Sequence, residues 1–318
     1  MPARATTHPR RRADIITAGI IGLGVFVLMT MWAVVAISIG AAREAAMARA
    51  HSIGRNLAIA FDTEVQRTLS DVVRSMDYFS ERVRQSPRNF DLFTWARETP
   101  LLGPGVEASI ISPDGQLASS TLAPVIQPVD LSDRDHFRVH LGAGDPGLYI
   151  GAAVLGRTSS RYILPVSRRI SGLDGEFLGV LVFLITPDTL TRLHKTMDLG
   201  AHDVIALVGL DNVIRARFAG DSPDGTVGVG TRVAGDPEAL PGTTEGFVIR
   251  QSPLDGVTRL YTYRRAGAFP LSVTVGLDVD TVLAFDHPSA AVDGGDRDAH
   301  SDRADGIYDA RGQDPHRS

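Results

Sequence analysis

The chain has 318 residues, a formal net charge of −5 and no cysteine. Its length allows one large domain or two small ones. The mild acidity, with no basic stripe carrying interleaved aromatics, argues against nucleic acid as a partner. The lack of thiols excludes disulfides, thiolate metal sites and cysteine nucleophiles.

Residues 1–14 form a basic segment with Arg4, Arg10, Arg11 and Arg12 and no acid before Asp14. Residues 15–39 then run without a charged side chain. At ~1.5 Å rise per residue this span covers ~37 Å, enough to cross a ~30 Å hydrocarbon core. Basic residues stay on the cytoplasmic side, so the N-terminus is expected inside and everything after Gly40 outside. A cleaved secretory signal would carry a shorter apolar core. The small residues Ala41-Ala42 and Ala46 to Ala50 offer a cleavage site, but the length favours an uncleaved anchor.

Residues 40–99 are dominated by a long helix from Ala41 to about Arg84, with no proline until Pro87. Ile53, Leu57, Ala60, Phe61, Val65, Leu69, Val72, Val73, Met76, Phe79 and Val83 recur at three- and four-residue steps and form one stripe. A parallel coiled-coil dimer would need a clean heptad, which is not sustained. A short helical patch is expected over Asn89–Glu98.

The pattern then changes to strands. Val106–Ile111 and Gln116–Ala118 flank a Pro113-Asp114-Gly115 turn, the chemistry of a hairpin. Leu148–Leu155, Tyr162–Ile170 and Phe177–Thr186 are further strands, and a helix is expected over Pro187–Met197. The grammar repeats with a hairpin of Val204–Val208 and Val213–Arg217, an irregular 219–244 loop, and strands at Gly246–Gln251, Arg259–Arg264 and Leu271–Leu277. The expected fold class is α+β, with an N-terminal transmembrane helix, a long stalk helix and two tandem antiparallel-sheet modules at 100–197 and 198–284.

The segments Asp130-Leu131-Ser132-Asp133-Arg134-Asp135-His136-Phe137-Arg138, Gly147-Leu148-Tyr149-Ile150-Gly151, Gly156-Arg157-Thr158-Ser159 and Ile163-Leu164-Pro165-Val166-Ser167-Arg168-Arg169-Ile170 carry a resemblance. So do Gly175 to Val180 and Phe269 to Val273. Over roughly 41–284 the chain resembles the double Cache (tandem PAS-like) extracytoplasmic sensor domains of bacterial receptors. The subgroup is the one found ahead of diguanylate cyclases and hybrid histidine kinases. The resemblance implies that the membrane-distal module, 100–197, holds a small ligand between its sheet and the loop crossing it. It also implies a second transmembrane helix leading to a cytoplasmic output domain. In this sequence the resemblance stops after Leu283. Residues 285–318 contain eight aspartates and three histidines with no apolar run, and read as a disordered tail. The pattern is that of a receptor truncated before its second span, with a stand-alone sensor as the other reading.

Six residues are candidates for ligand binding. Arg134 on the loop suits a ligand carboxylate, with Phe137 closing the apolar side. The plainer reading makes Ser132 a helix cap and pairs Arg134 internally. Tyr162, Leu164, Val166 and Arg168 share one face of their strand, and Ile163, Pro165, Ser167 and Arg169 the other. Either Ser167 or Arg168 therefore reaches the cavity, depending on register, unless the arginine pair is a solvated edge. Tyr149 stacks on a ligand or fills the core.

Asp114-Gly115, Asp174-Gly175 and Asp255-Gly256 are turn pairs. The tail histidines His287, His300 and His316 are too irregularly spaced for a metal site. No phosphate loop, zinc-protease motif or nucleophile elbow is present, so no enzyme activity, cofactor or metal is expected. The expected protein is a single-pass sensor of the bacterial inner membrane. Its partners are a small organic or amino acid, the membrane, and a homodimer mate or intact receptor. The alternative is a tethered interaction module with a vestigial pocket, acting on intact receptors.

Overall fold

The structure is a computed structural model. It describes residues 9–86, 91–98, 102–124, 127–142, 145–157, 159–192, 197, 199–220, 227–233 and 244–284, with side chains from residue 18 onward. Met1–Asp286 forms one compact unit and His287–Ser318 a second, which lies outside the described residues together with the expected tail.

One helix, α1 (Pro9–Gln85), runs from the basic segment through the apolar span into the folded part. No proline interrupts it after its first position, and Ala, Arg, Met and Leu favour continuation. Its large apolar residues from Ile20 to Ile39 are exposed. Among the described residues it is the one helix long and apolar enough to cross a membrane.

Beyond the span, α1 buries two kinds of stripe. Ala46, Ala50, Gly54 and Ala58 recur every fourth residue and are buried. Phe61, Val65, Leu69, Val72, Met76, Phe79 and Val83 then continue with large side chains. Each of the latter contributes on the order of 1.5–3 kcal/mol by leaving water. Ile53 and Ala60, expected in the stripe, are exposed, because the small-residue row lies on a different part of the helix surface.

After α2 (Leu92–Glu98), the first sheet contains β1 (Val106–Ile111), β2 (Leu117–Ser120), β3 (Leu148–Ile150), β4 (Val154–Leu155), β5 (Tyr162–Ser171) and β6 (Phe177–Ile185). Its order is β2-β1-β6-β5-β3, with β4 also on β5. The expected 148–155 strand is thus two strands. Pro165, opposite the gap, has no N–H to donate, and Gly151 N donates instead to the Pro165 carbonyl at 2.9 Å. β6 needs a glycine at its start: Gly179 has φ +131, and a Cβ there would collide with the Ile111 carbonyl oxygen.

The expected 187–197 helix is only α4 (Pro187–Leu190) in the described residues. Thr191 leaves helical geometry and turns its hydroxyl onto the Pro187 carbonyl. The second sheet, β7 (Val204–Gly209), β8 (Ile214–Ala219), β9 (Glu245–Gln251), β10 (Thr258–Arg265) and β11 (Leu271–Asp278), has the order β8-β7-β11-β10-β9. Both sheets therefore place their strands in the same sequence of neighbours. The short α5 (Val279–Ala284) follows.

One face of each sheet packs on α1, and a single apolar core runs through both. It joins Ala108, Ile110, Leu181 and Phe183 of the first sheet with Leu207, Phe218, Val273 and Val275 of the second. The second sheet meets α1 nearer the apolar span, where Arg264 pairs with the buried Asp62 at 3.0 Å. The first sheet meets it farther along, where Phe79 lies 6.2 Å from Phe183.

Candidate functional site

The face of the first sheet turned away from α1 is covered by a strap, residues 127–142, that crosses from β2 toward β3. The strap is stitched to the hairpin by bonds from Leu117 N to the Val129 carbonyl, 3.0 Å, and from Leu131 N to the Gly115 carbonyl, 2.8 Å. Asp130 Oδ1 accepts from Ser132 N at 2.9 Å, turning the chain into α3 (Asp135–Arg138). Arg134, not Ser132, occupies the cap position, and no side chain caps this helix. Phe137 points inward, 2 % exposed, and packs with Phe177 and the aliphatic side chains of β5 and β6.

Between strap and sheet lies a cavity of about 30 Å³, room for about two water molecules. Its floor is Ser109 and Ile111 of β1, Val182 and Leu184 of β6 and Ile163 of β5. Its roof is Leu131, Arg134 and His136 of the strap, and its outer wall runs from Val154 to Arg157. Arg134 Nη2 donates to the Leu155 carbonyl at 3.2 Å, closing the wall. Arg157 grips Asp133 through two bonds of 2.8 and 2.7 Å.

Outside that wall an open cleft of about 830 Å³ is shared by Arg134, Tyr162 and the second module's Val229, Gly230 and Thr231. Just inside, Ala153 packs with Ile214 and Val229. The segment that walls the cavity therefore also touches the second module.

His136 is 6 % exposed, lines the cavity and makes no hydrogen bond among the described residues. Burial, aided by the neighbouring Arg134 charge, pushes its pKa down to about 4, so the ring is neutral at physiological pH. Glu107 lies on the same face of β1 as Ser109, opposite Leu184. Its Oε2 is buried without a hydrogen bond, and burial raises its pKa against the pull of Arg161.

The six candidates separate clearly. Arg134 borders both the cavity and the cleft, and Tyr162 borders the cleft. Phe137 belongs to the apolar cluster beside the cavity. Ser167 and Tyr149 sit in one cross-strand row with Ser109 and Val182, on the strap face. Tyr149 is half-buried at the sheet edge, and burial followed by the Asp135 charge raises its pKa. Arg168 takes the opposite face and pairs with Asp77 of α1. The register thus turns Ser167, and not Arg168, to the strap side.

Ser167 does not line the cavity. Its hydroxyl meets His140 Nε2 at 2.9 Å, and His140 Nδ1 meets Asp145 at 3.0 Å. This is the spacing of a nucleophilic relay, but Ser167 and His140 have no exposed surface and no reactant reaches the hydroxyl. Burial lowers the His140 pKa. In its neutral form the imidazole fastens the end of the strap to β5, helped by Arg169 Nη1 on the His140 carbonyl at 2.8 Å. Among the described residues no cluster of three or more histidines and acids could hold a metal ion.

Sequence reasoning undervalued His136 and missed Ser109, His140 and the Val154–Arg157 wall. Strand alternation alone would have placed Ser109 on the strap face. The His140–Ser167 pairing spans 27 residues and left no local signal.

Residues 187–276 match a family model, dCache_1-like, described as a histidine kinase sensor domain. No curated protein matches the chain. The extracellular domain of rpHK1S-Z16, assigned as a histidine kinase, is 29 % identical and aligns over 75 % of this chain and 98 % of its own, with a TM-score of 0.63. The ligand-binding domain of the Pseudomonas aeruginosa PAO1 amino acid chemoreceptor PctB, solved with L-Arg, is 16 % identical over 73 % of this chain and 96 % of its own, TM-score 0.56. That of the Pseudomonas fluorescens chemoreceptor CtaA, solved with L-leucine, is 13 % identical over 75 % and 99 %, TM-score 0.52. The fold is that of the Cache sensor domains of such receptors.

Proposed function

Proceeding from a Cache sensor fold on a long apolar helix, we propose that this chain is the ligand-sensing part of an inner-membrane signalling receptor. Residues 15–39 anchor it with the N-terminus in the cytoplasm and both sheet modules outside. The first module, farther along α1 from the span, receives a small organic or amino acid, and the second stands between it and the membrane.

One observation carries this reading. A buried imidazole with no hydrogen bond among the described residues and a guanidinium with one, to a backbone carbonyl, meet over a mostly apolar floor, beneath a strap fastened to the sheet. A ligand carboxylate replaces the Leu155 carbonyl as acceptor for Arg134, exchanging a neutral bond for a charge-assisted one. Admitting the ligand requires the 153–157 wall to move. Ala153 then shifts against Ile214 and Val229, which gives the second module a direct mechanical readout.

The test is a thermal-shift screen of the full chain in detergent against organic and amino acids. Stabilisation by one of them, lost in Arg134→Ala with the unliganded melting temperature unchanged, supports sensing. No stabilisation by any, combined with co-purification of an intact receptor, would favour the tethered interaction module instead.

A further inference from the structure

The balance of charge around the cavity narrows the ligand. Resting on the sensing reading above, we propose that this site takes an aliphatic carboxylate lacking an α-ammonium group, in preference to an amino acid.

Arg134 is a cation at the wall, and its single described hydrogen bond goes to a carbonyl that a ligand anion can displace. His136 is a neutral hydrogen-bonding group at the roof with no hydrogen bond among the described residues. Apart from the Ser109 hydroxyl and Arg157 the remaining side chains of the lining are aliphatic, and among the described residues no acidic side chain lines the cavity. The nearby acids are not among its lining residues. Asp133 is held through both oxygens by Arg157, and Asp130 caps the turn at Ser132. Asp135 is exposed at the start of α3. Glu107 lies outside the cavity lining, in the field of Arg161.

A carboxylate entering with an apolar tail gains the guanidinium and releases the carbonyl of the exposed Leu155 to water. An α-amino acid brings in an ammonium that must be stripped of water against a mostly aliphatic lining that holds two arginines and, among the described residues, no carboxylate. The two classes differ by one group, so the discrimination is measurable on matched pairs.

The experiment uses the full chain in lipid nanodiscs and isothermal titration with 4-methylpentanoate, L-leucine and 4-methylpentanamide. The first two differ only in the ammonium, and the third removes the negative charge. The expected result is 4-methylpentanoate binding about tenfold or more tighter than either of the others. Arg134→Gln should bring its affinity down to that of the amide while the melting temperature holds. L-leucine binding as tightly as 4-methylpentanoate overturns the inference but leaves sensing intact, and loss of that leucine binding in Glu107→Gln would identify the acid responsible. Binding of no carboxylate or amino acid in a folded, nanodisc-embedded chain overturns both.

Discussion

The two sheets share one strand order and one helix, yet they treat their outward faces in opposite ways. In the first, Ser109, Ile111, Val182 and Leu184 leave an uncharged, mostly apolar floor with a small void above it. In the second, the same face carries Arg215, Arg217 and Arg259, all buried. Asp255, on the turn between β9 and β10, accepts from Arg217 at 2.7 Å and from Arg259 at 2.8 Å. Arg259 Nε also donates to the His202 carbonyl at 2.6 Å. Where the first module keeps space, the second fills it with a three-residue ionic clamp. The strand order supplies a platform, and the side chains of one face decide whether it keeps a cavity or closes on an ionic cluster.

The sharpest way to break this comparison is at Asp255. Asp255→Ala leaves two buried guanidinia without a counter-ion and should cost about 3–5 kcal/mol of unfolding free energy. Urea denaturation measures it. A loss below about 1 kcal/mol would mean that the clamp is no more than a solvated surface pair.

Acid separates the modules next. His136 has a folded pKa of about 4, below the unfolded 6.5. Its contribution is fully present above pH 6.5 and is lost as pH falls toward 4, because the unfolded chain binds the proton more readily. The difference corresponds to on the order of 3 kcal/mol. For Asp255, burial raises the pKa, but bonds from Arg259 and Ser252 outweigh it and hold the carboxyl well below its ordinary 3.8. That contribution is lost only below pH 3.8. Melting temperatures between pH 6.5 and 4 should therefore fall in the wild type and fall less in His136→Gln, the remaining slope coming from the buried His140, with the clamp unaffected in that window.

Smaller still is Ser167→Ala, which removes the hydroxyl from His140 Nε2 and should cost about 1–3 kcal/mol. It should also speed hydrogen exchange of strap amides and leave those of the second sheet unchanged. The smallest effect on stability belongs to Arg134→Ala, under about 1 kcal/mol for one half-exposed bond. Ligand binding should nevertheless disappear, a split between stability and binding that a structural role would not produce.

Much of this was legible in the residues. The uncharged 15–39 run, the three- and four-residue stripe after Phe61 and the Pro113-Asp114-Gly115 hairpin each follow a local rule, and the structure obeys it. The two-face alternation of β5 was also correct, but which face met α1 depended on register, so Ser167 and Arg168 stayed exchangeable until Asp77 was seen to take the arginine. The break between β3 and β4 could have been read from Pro165. The Arg217–Asp255–Arg259 clamp could not: Asp255-Gly256 is a turn pair by every local criterion, and the 38 residues separating Arg217 from Asp255 hide their contact.

The unbroken course of α1 has a further consequence for information transfer. Phe79, under the first sheet, and Ile39, at the end of the apolar span, lie 40 residues apart on one rod, about 60 Å along its axis. On the sensing reading proposed above, a rod without a proline hinge conveys sliding and rotation, and the angular phase between sensor and membrane becomes part of the message. One residue inserted near Gly40 would turn the span by about 100° relative to the sheets, whereas seven would nearly restore it. Ligand affinity would stay constant across such a series while the facing of the apolar span cycled with the period of the helix.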